Sequence, residues 1–339
     1  MKKKILITGA TGFLGTWLSV YLKDKFNVYG IGLKKDYKKS LFKKLELEKK
    51  IKIYNFDINN LKKCSDIFKR IKPDFTIHLA AQPIISESIK NPYQTFFTNI
   101  NGTLNIFKCV QKFSSGIVLN FTSDKVYLNN EKKVSFKETD YLFGEDPYSF
   151  SKSSADYIGQ ILNNPNFNLM PKVYITTFRA GNIIGGADWG KDRLIPDYYR
   201  ALKEKKTLLV RQGNAVRPWQ HICFVVKIIS KFINSYKKKF QTEFNIGPNI
   251  KLNHKVNRVL NILNKYNDDQ VKIFYLKKKF FKEKNYLSIN TKKFQSYFNV
   301  KYNSNLENDL YLTNKIYLKI LKNDKDDLIN LFEDQLRQF

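Results

Sequence analysis

The sequence predicts an α/β fold in which a doubly wound parallel sheet is joined to a smaller C-terminal lobe. Short apolar segments alternate with helical segments from residue 3 to residue 182. The apolar segments have the length and composition of strands covered on both faces. The alternation weakens beyond residue 182. We therefore expect one domain over residues 1–180 and a second over residues 181–339, interleaved with the first.

Six short apolar runs predict the strands of the sheet. They cover residues 3–8, 27–33, 52–58, 74–81, 116–122 and 172–182. Helical patterns lie between them, and Pro92 and Pro147 stand where the last two helices should begin. The predicted helices cover residues 16–26, 61–71, 91–113 and 146–162.

The C-terminal part has a weaker pattern and neither repeats nor a long linker. Residues 185–206 are Gly-rich and then helical, and residues 207–225 predict a short strand, a loop and a helix. Residues 244–247 form one more apolar run. Residues 286–300 and 306–321 predict helices. We expect this lobe to bind the substrate.

The charge is strongly basic, with 60 Lys and Arg against 30 Asp and Glu, a net charge of +30. The excess is nearly all Lys, spread among many Asn and Ile, and no known nucleic-acid module accompanies it. We therefore expect no nucleic-acid partner, although a basic surface favours anionic substrates. No apolar run approaches the ~20 residues of a membrane span. The apolar start is read as a strand, not as a signal peptide.

Cysteine usage indicates a reducing compartment. Cys64, Cys109 and Cys223 are scattered without paired spacing. This pattern fits a cytoplasmic protein and predicts neither a disulfide framework nor a metal site.

Three glycines after the first strand predict a dinucleotide site. Gly9, Gly12 and Gly15 have GxxGxxG spacing, which permits a tight turn and brings backbone N–H groups close to a pyrophosphate at a helix N-terminus. The acidic residue expected at the end of the second strand is replaced by Lys34 and Lys35. Lysines accommodate a 2′-phosphate, so the choice between NAD and NADP stays open.

Two further groups of residues predict acid–base chemistry. Tyr148 and Lys152 are four residues apart and lie on one helix face. An ammonium lowers a tyrosine pKa from ~10, which makes the phenol a base near neutral pH. Ser123, Asp124 and Lys125 follow the fifth strand, at the sheet edge where such sites lie.

Taken together, GATGFLG, HLAAQ, TNINGT, FTSD and YSFSK resemble the extended short-chain dehydrogenase/reductases, over nearly the whole chain. Such proteins have a Rossmann-type sheet. Within them the sequence is most similar to the CDP-glucose 4,6-dehydratase family. Four segments support this similarity: HLAAQPIISESIKNPYQTFFTNINGT, TSDKVY, RAGNIIGGADWGKDRLIPD and AVRPWQH. The lysines of the second strand depart from the family pattern, as does Val126, where the family often has Cys.

The resemblance implies an intramolecular redox reaction that yields a 4-keto-6-deoxy sugar. Tyr148 would take the proton from the sugar 4-hydroxyl while a hydride leaves C4, and Lys152 would hold the cofactor ribose. By analogy Lys125 takes the C5 proton, Asp124 protonates the departing C6 hydroxyl and Ser123 binds the C4 oxygen. Lys125 must be neutral to act as a base, which requires burial to lower its pKa from ~10.4. Which of Asp124 and Lys125 carries out which of these two steps stays open.

The resemblance also implies the residues that bind the two ligands. The expected cofactor-binding residues are Gly9, Thr11, Gly12, Phe13, Leu14, Gly15, Asp57, Ile58, Leu79, Ala80, Ala81, Asn99, Tyr148 and Lys152. The expected substrate-binding residues are Gln82, Ser123, Asn182, Arg193, Leu194, Arg217 and His221. Arg193 is equally well explained as a surface charge, and His221 as a packed histidine.

Three alternatives stay open. A nucleotide-sugar 4-epimerase would use the same scaffold, but it needs no acid–base pair for C5 and C6. A 4,6-dehydratase acting on another nucleotide hexose or heptose is the second alternative. The third and most distant is a non-catalytic nucleic-acid-binding protein. If the chain is an enzyme, we expect NAD or NADP and no membrane partner. The family resemblance also implies a homodimer or dimer of dimers formed through the helices at 91–113 and 146–162.

Overall fold

A computed structural model describes residues 2–33, 41–114, 116–235, 242–248, 253–276, 284–322, 324 and 328–339. The chain divides into two compact units of several segments each. The first unit comprises Met1–Leu128, Tyr141–Ala180 and Val226–Phe244. The second unit comprises Asn129–Asp140, Gly181–Val225 and Asn245–Phe339.

Twelve strands are present in the described ranges. They are β1 (Lys4–Thr8), β2 (Asn27–Gly32), β3 (Lys52–Asn55), β4 (Phe75–His78), β5 (Ile117–Ser123), β6 (Tyr174–Ala180), β7 (Asn182–Ile184), β8 (Leu208–Val210), β9 (Val216–His221), β10 (Glu243–Ile246), β11 (Asn253–Lys255) and β12 (Ile273–Tyr275).

The α-helices of the same ranges are numbered in chain order. They are α1 (Phe13–Leu22), α2 (Leu41–Lys44), α3 (Leu61–Ile71), α4 (Ile85–Lys90), α5 (Pro92–Phe96), α6 (Gly102–Phe113), α7 (Pro147–Asn163), α8 (Leu194–Glu204), α9 (Ile222–Asn234), α10 (Val256–Lys265), α11 (Lys292–Phe298), α12 (Leu306–Leu321) and α13 (Leu328–Gln338). A π-helical turn spans Phe97–Asn101, and 3₁₀ turns span Leu47–Lys49 and Asp124–Val126.

A seven-stranded sheet organises the first unit and confirms the predicted α/β fold. Its order is β10–β6–β5–β4–β1–β2–β3, and β1 to β6 pair in parallel. The chain runs outward from β1 to β3 and returns to place β4 beside β1. This reversal is the switch point at whose carboxyl edge ligands bind in such sheets. The loops after β1, β4 and β5 therefore share that edge.

Apolar side chains on the sheet explain why it is covered by helices. All four residues of β4 are buried, as are five of the seven residues of β5 and six of the seven residues of β6. Helices α3 and α6 pack against this layer around Phe68 and Phe107. Burial of such side chains contributes about 2 kcal/mol each, so the core fixes the loops at the sheet edge.

The predicted helix over residues 91–113 is present but contains a π-helical turn at Phe97–Asn101. Pro92 occupies the first turn, as expected. The preceding helix α4 was not predicted, because its six residues are too few to show a helical period. A single π turn inside an α-helix inserts one extra residue and often marks a functional site.

The second unit has two small sheets, of order β11–β9–β7 and β12–β8. The prediction of a single strand in residues 207–225 is incomplete, because Val216–His221 forms a second strand, β9, which pairs with β7 and β11. The physical reason lies in Gln220, which is fully buried and donates hydrogen bonds to the carbonyls of Gly181 and Ile246. A buried polar side chain in a strand gives no apolar period.

Two further predicted boundaries differ from the structure. The strand predicted over 172–182 is divided at Gly181, where a Cβ would lie 2.8 Å from the Pro218 carbonyl oxygen. The helix predicted over 286–300 is limited to α11. Within the described ranges, each helix is too short or too polar to cross a lipid bilayer.

Candidate active site

The turn after β1 is built for close approach of a ligand to the backbone. Gly9 has φ +72°, and a Cβ there would lie 2.9 Å from the Ala80 nitrogen. A Cβ at Gly15 would lie 2.2 Å from the Gly9 carbonyl oxygen. Gly12 precedes α1 without a side-chain cap and donates its N–H to Gly9 at 3.0 Å. Such a turn, at a helix N-terminus, fits a diphosphate group.

The other predicted cofactor residues of the first unit surround this turn or the neighbouring strand ends. Asp57 and Ile58 follow β3; the Asp57 carboxylate accepts the Asn59 N–H at 2.9 Å, and Ile58 is buried against the position of Gly102. Thr11 is buried, and Phe13 and Leu14 are half-buried at the start of α1. Leu79, Ala80 and Ala81 are half-buried after β4.

The predicted lysines at the end of the second strand, Lys34 and Lys35, lie outside the described residues, as does Asp36.

Ser123, Asp124 and Lys125 form one compact hydrogen-bonded group where β5 ends in a 3₁₀ turn. The Ser123 hydroxyl donates to Asp124 Oδ1 at 3.1 Å and accepts the Lys125 N–H at 3.2 Å. Lys125 Nζ donates to the same Oδ1 at 3.2 Å. Asp124 is 1% exposed, and its Oδ2 has no hydrogen-bond partner among the described residues. A buried carboxylate oxygen left in this way is suited to bind a ligand.

Helix α7 carries Tyr148 and Lys152 one turn apart. Asp146 caps the helix by accepting the Ser149 N–H at 3.0 Å, which fixes where it begins. Tyr148 is half-buried and donates its N–H to the Ser88 hydroxyl at 3.1 Å. Lys152 is buried, and this burial lowers its pKa to about 8, against the opposing effect of Asp156.

Two hydrogen bonds bring this helix to the strand that ends at the acid–base group. Lys152 Nζ donates to the Phe121 carbonyl at 2.7 Å, two residues before Ser123. The neighbouring Ser153 hydroxyl donates to the Val126 carbonyl at 2.9 Å, one residue after Lys125. The two predicted catalytic groups are therefore adjacent in the first unit.

Asn99 occupies the π-helical turn and connects helix α7 to the loop after β4. Its Oδ1 accepts the Gln82 N–H at 2.7 Å, and its Nδ2 donates to the Gln82 carbonyl at 3.1 Å. Nδ2 also donates to the Ser151 hydroxyl at 2.8 Å. The predicted substrate residue Gln82 is thus held by its backbone, while its amide bonds Thr95 and the Ile84 backbone.

His78 extends this network to the glycine turn, a link the sequence analysis missed. The Thr103 hydroxyl donates to the Asn99 carbonyl at 2.6 Å, so it must accept from His78 Nε2 at 3.0 Å. Nδ1 therefore accepts from the Thr8 hydroxyl at 2.7 Å, and that oxygen accepts the Ala80 N–H. Burial lowers the pKa of His78 to about 3, with a smaller contribution from Lys152, so the ring is neutral.

The remaining predicted substrate residues belong to the second unit. Asn182 begins β7, and its Oδ1 is buried with no hydrogen bond inside the described part of the chain. Arg193 pairs with Asp188 at 2.8 Å just before Leu194 starts α8. Arg217 is buried and donates to the carbonyls of Val216 and Lys284. At least two of its donors are therefore bound to backbone.

His221 is fully buried at the end of β9. Its backbone N–H donates to the Tyr302 hydroxyl at 2.8 Å, and its Nδ1 accepts the Cys223 N–H at 3.3 Å. Burial lowers the pKa of this imidazole to about 3. Its neutral ring is accordingly a packed, hydrogen-bonded group.

The described residues contain no cluster of three His, Cys, Asp or Glu side chains arranged to hold a metal ion. The three cysteines are buried, and no disulfide joins them. Burial raises the pKa of the Cys64 thiol to about 12, which disfavours the reactive thiolate.

Comparison with known proteins adds three kinds of similarity. A family model described as GDP-mannose 4,6 dehydratase matches residues 6–310. A CDP-glucose 4,6-dehydratase of Salmonella typhimurium is 36% identical over 228 residues, which are 65% of this chain and 63% of that protein. The match thus spans less than two thirds of that relative's length.

Two solved structures show the same fold. A UDP-glucose 4-epimerase from Stenotrophomonas maltophila with bound NAD superposes with a TM-score of 0.84 at 16% identity, over 95% of this chain and 100% of that one. A dTDP-glucose 4,6-dehydratase from Bacillus anthracis in complex with NAD has a TM-score of 0.76 at 21% identity, over 94% and 97% of the two chains.

Proposed function

Because the chain belongs to the GDP-mannose 4,6-dehydratase family, we propose that it is a nucleotide-sugar 4,6-dehydratase whose substrate is CDP-glucose. The observation that supports this proposal is the hydrogen-bonded pair of Asp124 and Lys125, next to the helix with Tyr148 and Lys152. A 4-epimerase needs only the tyrosine and its lysine. An acid and a base in addition suit the removal of water from C5 and C6. The similarity to a CDP-glucose 4,6-dehydratase supports the choice of substrate.

We propose NAD as the cofactor, held by the glycine turn and the strand ends around it. The fit depends on Gly9 and Gly15, whose missing Cβ atoms keep the turn open. When bound, this cofactor accepts a hydride from the sugar and returns it. NADP is the alternative, because Lys34 and Lys35 follow the second strand.

Tyr148 is proposed as the base for the sugar 4-hydroxyl. Its position one helical turn from Lys152 puts a positive charge near the phenol, which favours the phenolate. Lys152 is held by the Phe121 carbonyl, so its ammonium has a defined position. General base catalysis of this kind contributes about 10²- to 10⁴-fold.

Asp124 and Lys125 are proposed to carry out the elimination. Transfer of one proton along their 3.2 Å hydrogen bond produces a neutral amine and a carboxylic acid together. The amine takes the proton from C5, and the acid gives its proton to the leaving C6 oxygen, which departs as water. The pair is then again an ammonium and a carboxylate. Ser123 would donate a hydrogen bond to the C4 oxygen.

The nucleotide end of the substrate is proposed to bind Asn182, Arg193, Leu194 and Arg217, with Gln82 near the sugar. Arginine suits a diphosphate because its planar donors bind two oxygens at once. Arg193 pairs with Asp188, and one third of the Arg193 side chain is exposed. This exposed part is accessible to an incoming anion. These assignments follow the family resemblance.

We also propose a homodimer, or a dimer of dimers, formed by two copies of the chain through α5, α6 and α7. Large apolar side chains stand exposed on α5 and on the π-helical turn between α5 and α6, with Tyr93 86% and Phe97 53% exposed. Phe150 of α7 is 43% exposed and contacts Phe96 edge-on at 5.9 Å, so the two exposed faces are continuous. A patch of this kind marks a protein interface. Phe97→Glu should shift the sedimentation of the chain toward the monomer.

A panel of nucleotide sugars tests the proposed activity. The purified chain with NAD is incubated with CDP-, dTDP-, UDP- and GDP-hexoses, and mass spectrometry follows the loss of one water. We expect loss of water from CDP-glucose. Conversion of any substrate to an isomer of unchanged mass would support a 4-epimerase instead, and no conversion of any sugar would refute both.

A further inference from the structure

A buried ion pair lies in the core of the first unit, close to the 3₁₀ turn Asp124–Val126, which we call the acid–base turn. Arg179 of β6 is 1% exposed and Asp156 of α7 is 0% exposed. Their contact is bidentate: Arg179 Nε reaches Asp156 Oδ2 at 2.8 Å, and Nη2 reaches Oδ1 at 2.8 Å. Neither residue belongs to the predicted site.

The third nitrogen of this arginine bonds the residue that follows the 3₁₀ turn Asp124–Val126. Arg179 Nη1 donates to the Tyr127 hydroxyl at 3.0 Å, and the guanidinium carbon lies 5.2 Å from the centre of the Tyr127 ring. Tyr127 is 2% exposed and directly follows the 3₁₀ turn Asp124–Val126. A rotation of the turn would therefore displace a buried hydroxyl from a buried cation.

The other half of the pair belongs to the helix that bears the redox residues. Asp156 follows Lys152 by four residues, as Lys152 follows Tyr148, so the three share one face of α7. Asp156 also accepts hydrogen bonds from Thr122 Oγ1 at 3.1 Å and from Gln160 Nε2 at 2.8 Å. The carboxylate thereby joins α7 to β5 as well as to β6.

We propose that Arg179 and Tyr127, anchored by Asp156, are positioning residues that hold the turn of Asp124 and Lys125 in register with Tyr148 and Lys152. This inference rests on the proposed dehydratase function. The reaction uses the two groups in succession on neighbouring carbons, so their separation must be constant while the sugar stays bound.

Stability alone is a poor explanation of the pair. Taking two charges out of water costs several kcal/mol per ion, and well-packed apolar residues of similar volume often stabilise a fold as well. The planar guanidinium instead fixes directions, because it forms two bonds to one carboxylate and a third to the phenol. Such a contact defines an angle between helix and turn.

Tyr127→Phe tests the link without removing a ring or a charge. We expect the first oxidation to keep its rate and the elimination to slow about 10- to 100-fold, so that reduced nicotinamide accumulates. Hydrogen–deuterium exchange of the cofactor-free chain should increase in the peptide spanning residues 124–128. Tyr198→Phe is the matched control, since it removes a hydroxyl of a fully buried tyrosine that bonds Asn264 in the second unit.

A second variant separates position from stability. Arg179→Met combined with Asp156→Leu replaces the ion pair by apolar side chains. We expect this double variant to fold and to accumulate reduced nicotinamide. Adding Tyr127→Phe to it should cause no further change in the rate of elimination. The inference would be overturned if Tyr127→Phe accumulated no reduced nicotinamide and its hydrogen–deuterium exchange at residues 124–128 were unchanged.

The test also distinguishes failure of the inference from failure of the proposed function. If the unaltered chain removes water from no nucleotide sugar, the function fails, and the exchange measurement alone decides whether Tyr127 holds the turn. If the unaltered chain is active and both variants match it in exchange and coupling, only the inference fails.

Discussion

The carboxylate of Asp124 lies 3.2 Å from the ammonium of Lys125, yet the two side chains differ in exposure, with 1% for Asp124 and 27% for Lys125. The acid is thus enclosed by its surroundings, including the Ser123 hydroxyl, while the lysine side chain is partly open to solvent. This difference in exposure agrees with the proposed roles, in which Lys125 removes the C5 proton and the enclosed Asp124 protonates the C6 oxygen.

Lys125→Met should abolish elimination while a slow first oxidation remains. Loss of a general base costs about 10²- to 10⁴-fold, whereas Tyr148 and Lys152 are unchanged. Mixing the variant with NAD and CDP-glucose should produce a lasting near-ultraviolet absorbance of reduced nicotinamide. Lys69→Met removes an exposed lysine of α3 and serves as the control. Equal loss of oxidation and elimination would contradict this division of roles.

Tyr148→Phe should abolish the first oxidation, because the phenyl ring has no oxygen to accept the proton of the 4-hydroxyl. Neither reduced nicotinamide nor exchange of the C5 hydrogen should be detected. Tyr157→Phe on the same helix is the matched control, since the Tyr157 hydroxyl bonds the Leu142 backbone at 3.3 Å, away from the proposed catalytic groups. Turnover of Tyr148→Phe near the normal rate would refute the assignment.

Lys152→Met should remove activity without loss of stability. Burial lowers the pKa of Lys152 from 10.5 to about 8, so the folded chain binds fewer protons than the unfolded chain between these pH values. The destabilisation, about 3 kcal/mol at most, is fully present below pH 8 and is lost as the pH rises to 10.5. Urea unfolding of the original chain should show stability rising over this range, and the variant should lack that contribution. A variant less stable at neutral pH would show that the ammonium stabilises the fold.

His78→Asn should flatten the acid dependence of stability. The pKa of the folded ring is lowered from 6.5 to about 3, so its contribution to stability is present above pH 6.5 and is lost as the pH falls toward 3. Each pH unit in this window costs about 1.4 kcal/mol. The free energy of unfolding, measured with urea at several pH values between 4 and 6, should therefore change less steeply with pH in the variant. His254→Asn, at a half-buried ring of the second unit, should change the slope less.

Gly15→Ala should lower stability although alanine is the better helix former. Helix propensity favours alanine by about 1 kcal/mol, but the new Cβ would meet the Gly9 carbonyl oxygen at 2.2 Å and the Ala10 Cα at 2.7 Å. Gly159→Ala is the control, because its Cβ would meet only side chains, the nearest at 3.3 Å. Thermal unfolding should show a lower midpoint for Gly15→Ala alone, with weaker NAD binding. A higher midpoint would mean that the turn is loosely packed.

Much of the first unit was predictable from local patterns. The strands that end at Thr8, His78 and Ser123 show as apolar runs, and the glycine spacing and Tyr148–Lys152 spacing show directly in the printed letters. These features depend on residues close together in the chain, where strand and helix periods operate.

Contacts between distant residues were not predictable. Arg179 and Asp156 are 23 residues apart and Thr8 and His78 are 70 apart, and no local period connects them. The strand at RPWQH was missed for the same reason, since its polar Gln220 is buried by carbonyl groups from elsewhere in the second unit. Burial of polar groups is decided by partners that only the folded chain brings together.

The most direct test of the proposed reaction follows the hydrogens of the sugar. CDP-glucose deuterated at C4 is incubated with the chain and NAD in ordinary water, and the product is analysed by mass spectrometry and NMR. We expect a product that has lost one water and bears the deuterium at C6. A product of unchanged mass that retains deuterium at C4 would contradict the account.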